Sequence, residues 1–158
     1  GTTSVKEQLG DKPGFEKINI VAEDGRLYRE EGSRNYSLEL PKNGLGVKQA
    51  DMVLTFRNYH NFGEQGRAAM NELAFDALKK GGIYAVVDHT ARHMEAPNNE
   101  NRRRFDPVLA IKEIQAAGFE FVDFSTLHHK LDDALVYEVG RRSVTGNTDR
   151  WTLKFRKP

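Results

Sequence analysis

With 24 basic against 23 acidic side chains in 158 residues, a net charge of +1, the chain gives no general electrostatic reason to expect nucleic acid or an anionic membrane as partner. It contains no cysteine, which excludes disulfides, thiolate metal sites and a cysteine nucleophile. No apolar run reaches membrane-spanning length and the N-terminus carries no signal-peptide pattern, so one soluble, cytoplasmic domain over 1–158 is expected.

Residues 1–14 are polar and end in Lys12-Pro13-Gly14, a breaker cluster that predicts a loose or partly helical lead-in. Residues 15–46 read as β-rich, with short pieces at Glu16–Ala22, Arg26–Arg29 and Asn35–Leu40, an N-terminal hairpin or ribbon. From Asp51 the pattern strengthens. Met52-Val53-Leu54-Thr55-Phe56 is a continuous apolar run of strand length, as in a strand covered on both faces. A helix is predicted from Glu64 to Lys80 on the stripe Met70, Leu73, Ala74, Ala77 and Leu78, with Lys79-Lys80 as its cationic last turn and Gly81-Gly82 as C-cap. Ile83–Val87 is a second buried strand running into Asp88-His89. Asp106-Pro107 opens another helix with Asp as N-cap, its inner stripe Val108, Ile111, Ile114 and Ala117 stopping at Gly118. Phe119–Thr126 is a third strand, and Leu135–Val139 and Trp151–Phe155 read as β segments with a turn at Thr145-Gly146-Asn147 between them. Phe75, Leu78, Phe119, Phe121 and Phe124 are core by spacing.

Strand, helix, strand, helix, strand is the order of half a doubly wound sheet, in which ligands bind beyond the carboxyl ends of the strands. Arg57, Asn58, His60 and Asn61 sit there. Asn and His position a nucleophile, His60 can accept its proton, and Arg57 can clamp a carboxylate or phosphate. The plainer alternative is a strand-end turn whose polar side chains satisfy loose backbone groups. Asp88-His89 ends the next strand on the same border. Direct Asp-His pairing requires that the strand has already ended, because adjacent strand residues face opposite ways. His89 and His93 are four apart, and His128-His129 follow later, but no H-E-x-x-H pattern accompanies them, so no metal site is assigned; a metal-dependent hydrolase is the third-ranked reading. Asn98–Arg104, with three successive arginines, reads as a solvated loop or a lid beside the pocket.

The segments Leu54-Thr55-Phe56-Arg57-Asn58-Tyr59-His60-Asn61, Val86-Val87-Asp88-His89, Phe105-Asp106-Pro107 and the tail from Thr148 to Pro158 together resemble the C-terminal half of class I S-adenosylmethionine-dependent methyltransferases, within a group of predicted methyltransferases that shares them. The resemblance covers roughly residues 50–158, about two-thirds of the chain. It implies an α/β fold: an incomplete Rossmann-like, methyltransferase-type, mostly parallel sheet with flanking helices. It also implies methyl transfer from S-adenosylmethionine to a small-molecule acceptor, with Arg57, Asn58, His60 and His89 as catalytic candidates and Asn61 and Asp88 contacting the acceptor.

The family's glycine-rich cofactor loop is missing. Gly44-Leu45-Gly46 precedes the next strand by only four residues, too few for the helix such a loop must open. In the family's strand order 3-2-1-4-5-7-6 this chain lacks the first two strands, the central ones. Glu16–Ala22 then stands for the third strand and puts Asp24 near the adenine position. The strand at 51–56 keeps an unpaired apolar edge, to be covered either by residues 16–40 or by a second chain, and a homodimer is expected. The alternative function is a non-catalytic remnant of the fold, a dimeric module binding a small ligand or a protein.

Overall fold

The computed structural model describes residues 7–158; residues 1–6 of the expected lead-in lie outside the described residues. Two strands, β1 (Arg26–Tyr28) and β2 (Ser37–Glu39), pair antiparallel as a separate hairpin. The main sheet contains β3 (Ala50–Phe56), β4 (Leu78–His89), β5 (Glu120–Ser125) and β6 (Arg150–Arg156), in the spatial order β3-β4-β6-β5. Helix α1 (Glu64–Ala77) joins β3 to β4, and α2 (Pro107–Ala116) lies between β4 and β5. β3 and β4 pair in parallel, while β6 is antiparallel to both of its neighbours. Three strands therefore run the same way with one reversed strand inserted. This is the 4-5-7-6 portion of the methyltransferase order, so the α/β, methyltransferase-like fold class stands.

Alternate residues of β4 and β6 face the two helices. Tyr84, Val86, Leu153 and Phe155 pack there with Ala74 and Leu78 and with Ala110 and Ile114. Each such buried side chain is worth about 1.5–3 kcal/mol relative to exposure. Asp106 caps α2 as its sequence predicts, its carboxylate accepting from Val108 N at 2.8 Å, with Pro107 at the first helical position.

Several expectations are corrected. Glu16–Ala22 is not a strand. Phe15–Lys17 is a 3-10 turn entered through Gly14 at φ 93°, and the residues after it have no ladder partner among the described strands. The hairpin does not cover β3, whose sole partner among the described residues is β4. Helix α1 ends at Ala77, not Lys80, because Leu78 already pairs with Ala50. The cation over the helix end is Lys157, whose Nζ donates to the carbonyls of Phe75 (2.7 Å) and Leu78 (2.9 Å). Gly82 is required for packing rather than capping: a Cβ there would lie 2.9 Å from the Lys79 carbonyl and from Leu78 Cδ2, and 3.1 Å from the Ala50 carbonyl. Leu135–Val139 is irregular, since its backbone serves side chains: Leu135 N donates to Asp133 and Tyr137 O accepts from Arg104. Val108 and Phe124 are exposed rather than core, as is Phe121, because β5 is an edge strand.

The largest correction concerns β3 itself. Val53 and Thr55 face the helix side, but Met52, Leu54 and Phe56 on the opposite face are 52%, 51% and 58% exposed. The run is written for two covered faces and has one.

Candidate functional site

The carboxyl ends of β3 and β4 lie on one border, and the residues picked out there come together. The chain leaves β3 through Arg57 at φ 52°, a left-handed conformation that costs a non-glycine residue roughly 1–2 kcal/mol. Arg57 N donates to Val87 O at 2.7 Å, which fastens the turn to β4. A single 3-10 turn, Tyr59–Asn61, follows; within it Asn61 Nδ2 donates to Asn58 Oδ1 at 3.2 Å. Strained backbone of this kind persists only where its surroundings enforce it, and it concentrates at functional sites.

Asp88 is the hub of this border. It is fully buried, and its carboxylate accepts from the backbone N–H of His60 (2.9 Å) and of His89 (2.7 Å). Its Oδ1 also meets His60 Nδ1 at 2.6 Å. Because β4 continues through His89, the neighbours Asp88 and His89 point to opposite faces. The aspartate therefore serves the imidazole across the sheet, not the one beside it in sequence. The rings of His60 and His89 are 5.8 Å apart, centroid to centroid. His89 Nδ1 lies 2.8 Å from Thr148 Oγ1. Burial pushes His89 down to about 4, with positive charge from His60, Arg150 and Arg104 adding to the effect and Asp88 opposing it. His89 is therefore a neutral imidazole at pH 7.

A cleft of about 380 Å³ opens on this border, lined among others by Phe56, Arg57, His60, Asn61, His89 and Arg150. The turn that carries His60 and Asn61 into it is fixed by a network that no local motif announces. Tyr59 is buried, its hydroxyl donating to Glu113 at 2.8 Å and accepting from Asn71 at 3.0 Å. Arg67 forks onto the same Glu113 through two 2.7 Å bonds and donates to Phe62 O at 2.6 Å. The wall formed by Thr148 and Arg150 is backed by Arg104 and Asp133, a fully buried bidentate pair at 2.9 and 3.0 Å whose aspartate also accepts from Asp149 N at 2.7 Å. Burial alone would push the Asp133 carboxyl up, but hydrogen bonds from Arg104 and from the N–H groups of Asp149 and Leu135 hold it below its ordinary value.

Not every expected residue joins the border. Asp24 is exposed near β1, its carboxylate accepting from Lys42 N at 3.1 Å, and it lines neither cleft that His60 borders. The histidines have separate partners: His93 with Asp106 (2.8 Å), His129 with Asp149 (2.7 Å) and His128 with Thr152 (2.8 Å). Among the described residues no three His, Cys, Asp or Glu side chains converge as metal ligands. The Asn98–Arg104 connection is not merely solvated, because Asn101 and Arg104 are buried. Thr148 and Arg150 at the cleft belong to the tail segment that carries the resemblance, so that segment was their signal. Arg67 and Glu113, far apart in sequence, had none.

No protein-family model matches the chain, and no curated protein matches it. Solved structures do. A possible histamine N-methyltransferase of Thermotoga maritima is similar at 20% identity and TM-score 0.49, over 72% of this chain and 59% of that one. A S-adenosylmethionine-dependent methyltransferase of Methanosarcina mazei is similar at 14% and 0.49, over 72% and 62%. The glycopeptide N-methyltransferase MtfA, complexed with S-adenosylmethionine, is similar at 13% and 0.48, over 70% and 55%. The chain thus spans less than two-thirds of the length of each. No helix among the described residues is long and apolar enough to cross a membrane.

Proposed function

We propose that this chain carries the acceptor-side half of a methyltransferase-type domain and that the border cleft binds a small-molecule acceptor. The observation that carries this reading is the His60–Asp88 pair at 2.6 Å, set where the parallel strands β3 and β4 end. The carboxylate holds the proton on Nδ1, which leaves Nε2 as the acceptor for a proton from the bound nucleophile. Asn61, held by Asn58 outside the lining, orients that nucleophile, and Arg57 and Arg150 meet an anionic group on it. Neutral His89, tied to Thr148, forms the wall opposite His60.

S-adenosylmethionine supplies a methyl group in such domains when bound. The described residues do not fit its cradle: no glycine loop opens a helix beside β3, Asp24 stands apart from the border, and the outer edge of β3 has no partner strand. No transfer step is therefore assigned to residues of this chain. The open β3 edge favours a second reading on the same fold, a dimeric binding module that uses the border cleft without a cofactor.

Calorimetric titration with S-adenosylhomocysteine separates the two. Saturable heat supports a cofactor site on this chain and the methyltransferase reading. No heat and no thermal shift at millimolar ligand rejects the cofactor and leaves the binding module.

A further inference from the structure

On the other side of His60 and Asn61 lies a second and more enclosed cleft, of about 480 Å³, between the β1–β2 turn and the connection leading into α2. Six arginines line it, Arg29, Arg34, Arg67, Arg102, Arg103 and Arg104, and no aspartate or glutamate does. In a chain whose net charge is +1 this is a strong local concentration of one sign. Arg67, Arg103 and Arg104 are matched by Glu113, Glu138 and Asp133 behind the walls. Arg29, Arg34 and Arg102 form no ion pair among the described residues; Arg29 stacks on Tyr36 at 4.4 Å. Glu30 and Glu31, in the same turn as Arg29 and Arg34, are exposed and outside the lining.

Both walls are built before any ligand arrives. Asn98 Oδ1 accepts from the N–H groups of Glu100 (2.7 Å) and Asn101 (3.1 Å), while Asn101 Oδ1 accepts from Asn98 N at 2.8 Å, which locks the turn ahead of Arg102. Opposite, Ser33 Oγ accepts from Asn35 N at 3.2 Å, and Tyr36 N donates to Asn61 O at 2.7 Å, tying the hairpin to the His60 turn. Guanidiniums facing one concavity repel one another unless an anion sits between them, and Glu138, the carboxylate that Arg102 feels, lies outside this lining. Their fork matches tetrahedral oxyanions, and three of them exceed what one carboxylate accepts. The volume suits a small molecule.

We infer that this cleft binds a small molecule through a phosphate or diphosphate group, with Arg29, Arg34 and Arg102 as its direct ligands. The inference stands whether or not the chain binds S-adenosylmethionine.

The test is titration with inorganic phosphate and pyrophosphate at constant ionic strength, read by calorimetry and by amide chemical shifts, with chloride as the reference anion. Saturable binding is expected, with shifts centred on Asn35, Asn61 and Asn98. Losing two charged hydrogen-bond donors in the double variant Arg34→Gln/Arg102→Gln, both exposed residues, weakens it at least about tenfold. The exposed Arg142→Gln, outside the cleft, leaves it unchanged. Absence of binding, shifts confined to other regions, or equal affinity in the double variant overturns the inference. So does a single-stranded oligonucleotide that displaces pyrophosphate and binds more tightly, which assigns the arginines to a polymer.

Discussion

On the side of the β3-β4-β6-β5 sheet that meets α1 and α2, Tyr84, Val86, Leu153 and Phe155 are 3% exposed or less; on the other side, Met52, Leu54 and Phe56 keep half or more of their surface. Both sets are equally apolar, so composition does not explain the difference. What differs is the layer above them. The helix side supplies side chains and a polar network that closes on itself through Tyr59, Arg67 and Glu113. On the bare side no described residue covers β3, and each of its three side chains forgoes about half of the 1.5–3 kcal/mol that full burial brings. The border cleft lies where these regimes meet, its chemistry anchored from the covered side.

The anchoring can be broken from beneath. Asp133→Ala leaves Arg104 charged and buried without its partner, so about 3–5 kcal/mol of stability should be lost. The loss is measurable by urea unfolding, and a change under 1 kcal/mol would mean that the wall is not held by this pair. A smaller effect follows from His89. Its folded value of about 4 lies below the unfolded value of 6.5, so the unfolded chain binds the extra proton between these limits. Stability is then complete above pH 6.5 and falls by roughly 3 kcal/mol as pH drops toward 4. The depressed carboxyls of Asp106, Asp133 and Glu138 lose their contributions lower still, below about their ordinary value of 4. His89→Gln should flatten the profile between pH 6.5 and 4 and leave the acid limb in place; a variant with the wild-type slope would assign that slope to other groups.

How much of this was legible in the sequence divides along the same lines. The apolar run of β3, the Asp106-Pro107 start of α2 and the Trp151–Phe155 strand were readable because each is decided by periodicity or capping within a few residues. So was the meeting of His60 with the end of β4, since two parallel strands joined by a helix must end on one border. The partner of Asp88 was not, because it depends on whether β4 stops before or after His89, a matter of one residue. The end of α1 was misread because a helix-forming Leu78 and a cationic Lys79-Lys80 satisfy local rules, while the tertiary pairing of Leu78 with Ala50 overrides them. The arginine cleft was unreadable, since Arg29 and Arg34 meet Arg102 through tertiary contacts such as the bond from Tyr36 to Asn61, which no local pattern announces.

The bare face gives the prediction with the smallest effect on the folded chain and the sharpest consequence for its assembly. A second copy is the partner we propose for the open edge of β3 beside that face. Two β3 edges related by a two-fold axis pair antiparallel, and the same rotation brings Met52, Leu54 and Phe56 of both copies into one continuous patch. Leu54→Lys places a charge in the middle of that patch. Its side chain already stands half in solvent within a single chain, so the stability of the monomer should change by less than about 0.5 kcal/mol. Across the paired edges the same charge lies beside its own image on the neighbouring strand, and the dimer should weaken. Sedimentation velocity on wild type and variant decides the matter. A dimer converted to a monomer that unfolds at the same urea concentration supports pairing through β3. A wild-type chain that sediments as a monomer at every concentration, or a variant as tightly dimeric as wild type, removes the second copy as the partner of the β3 edge.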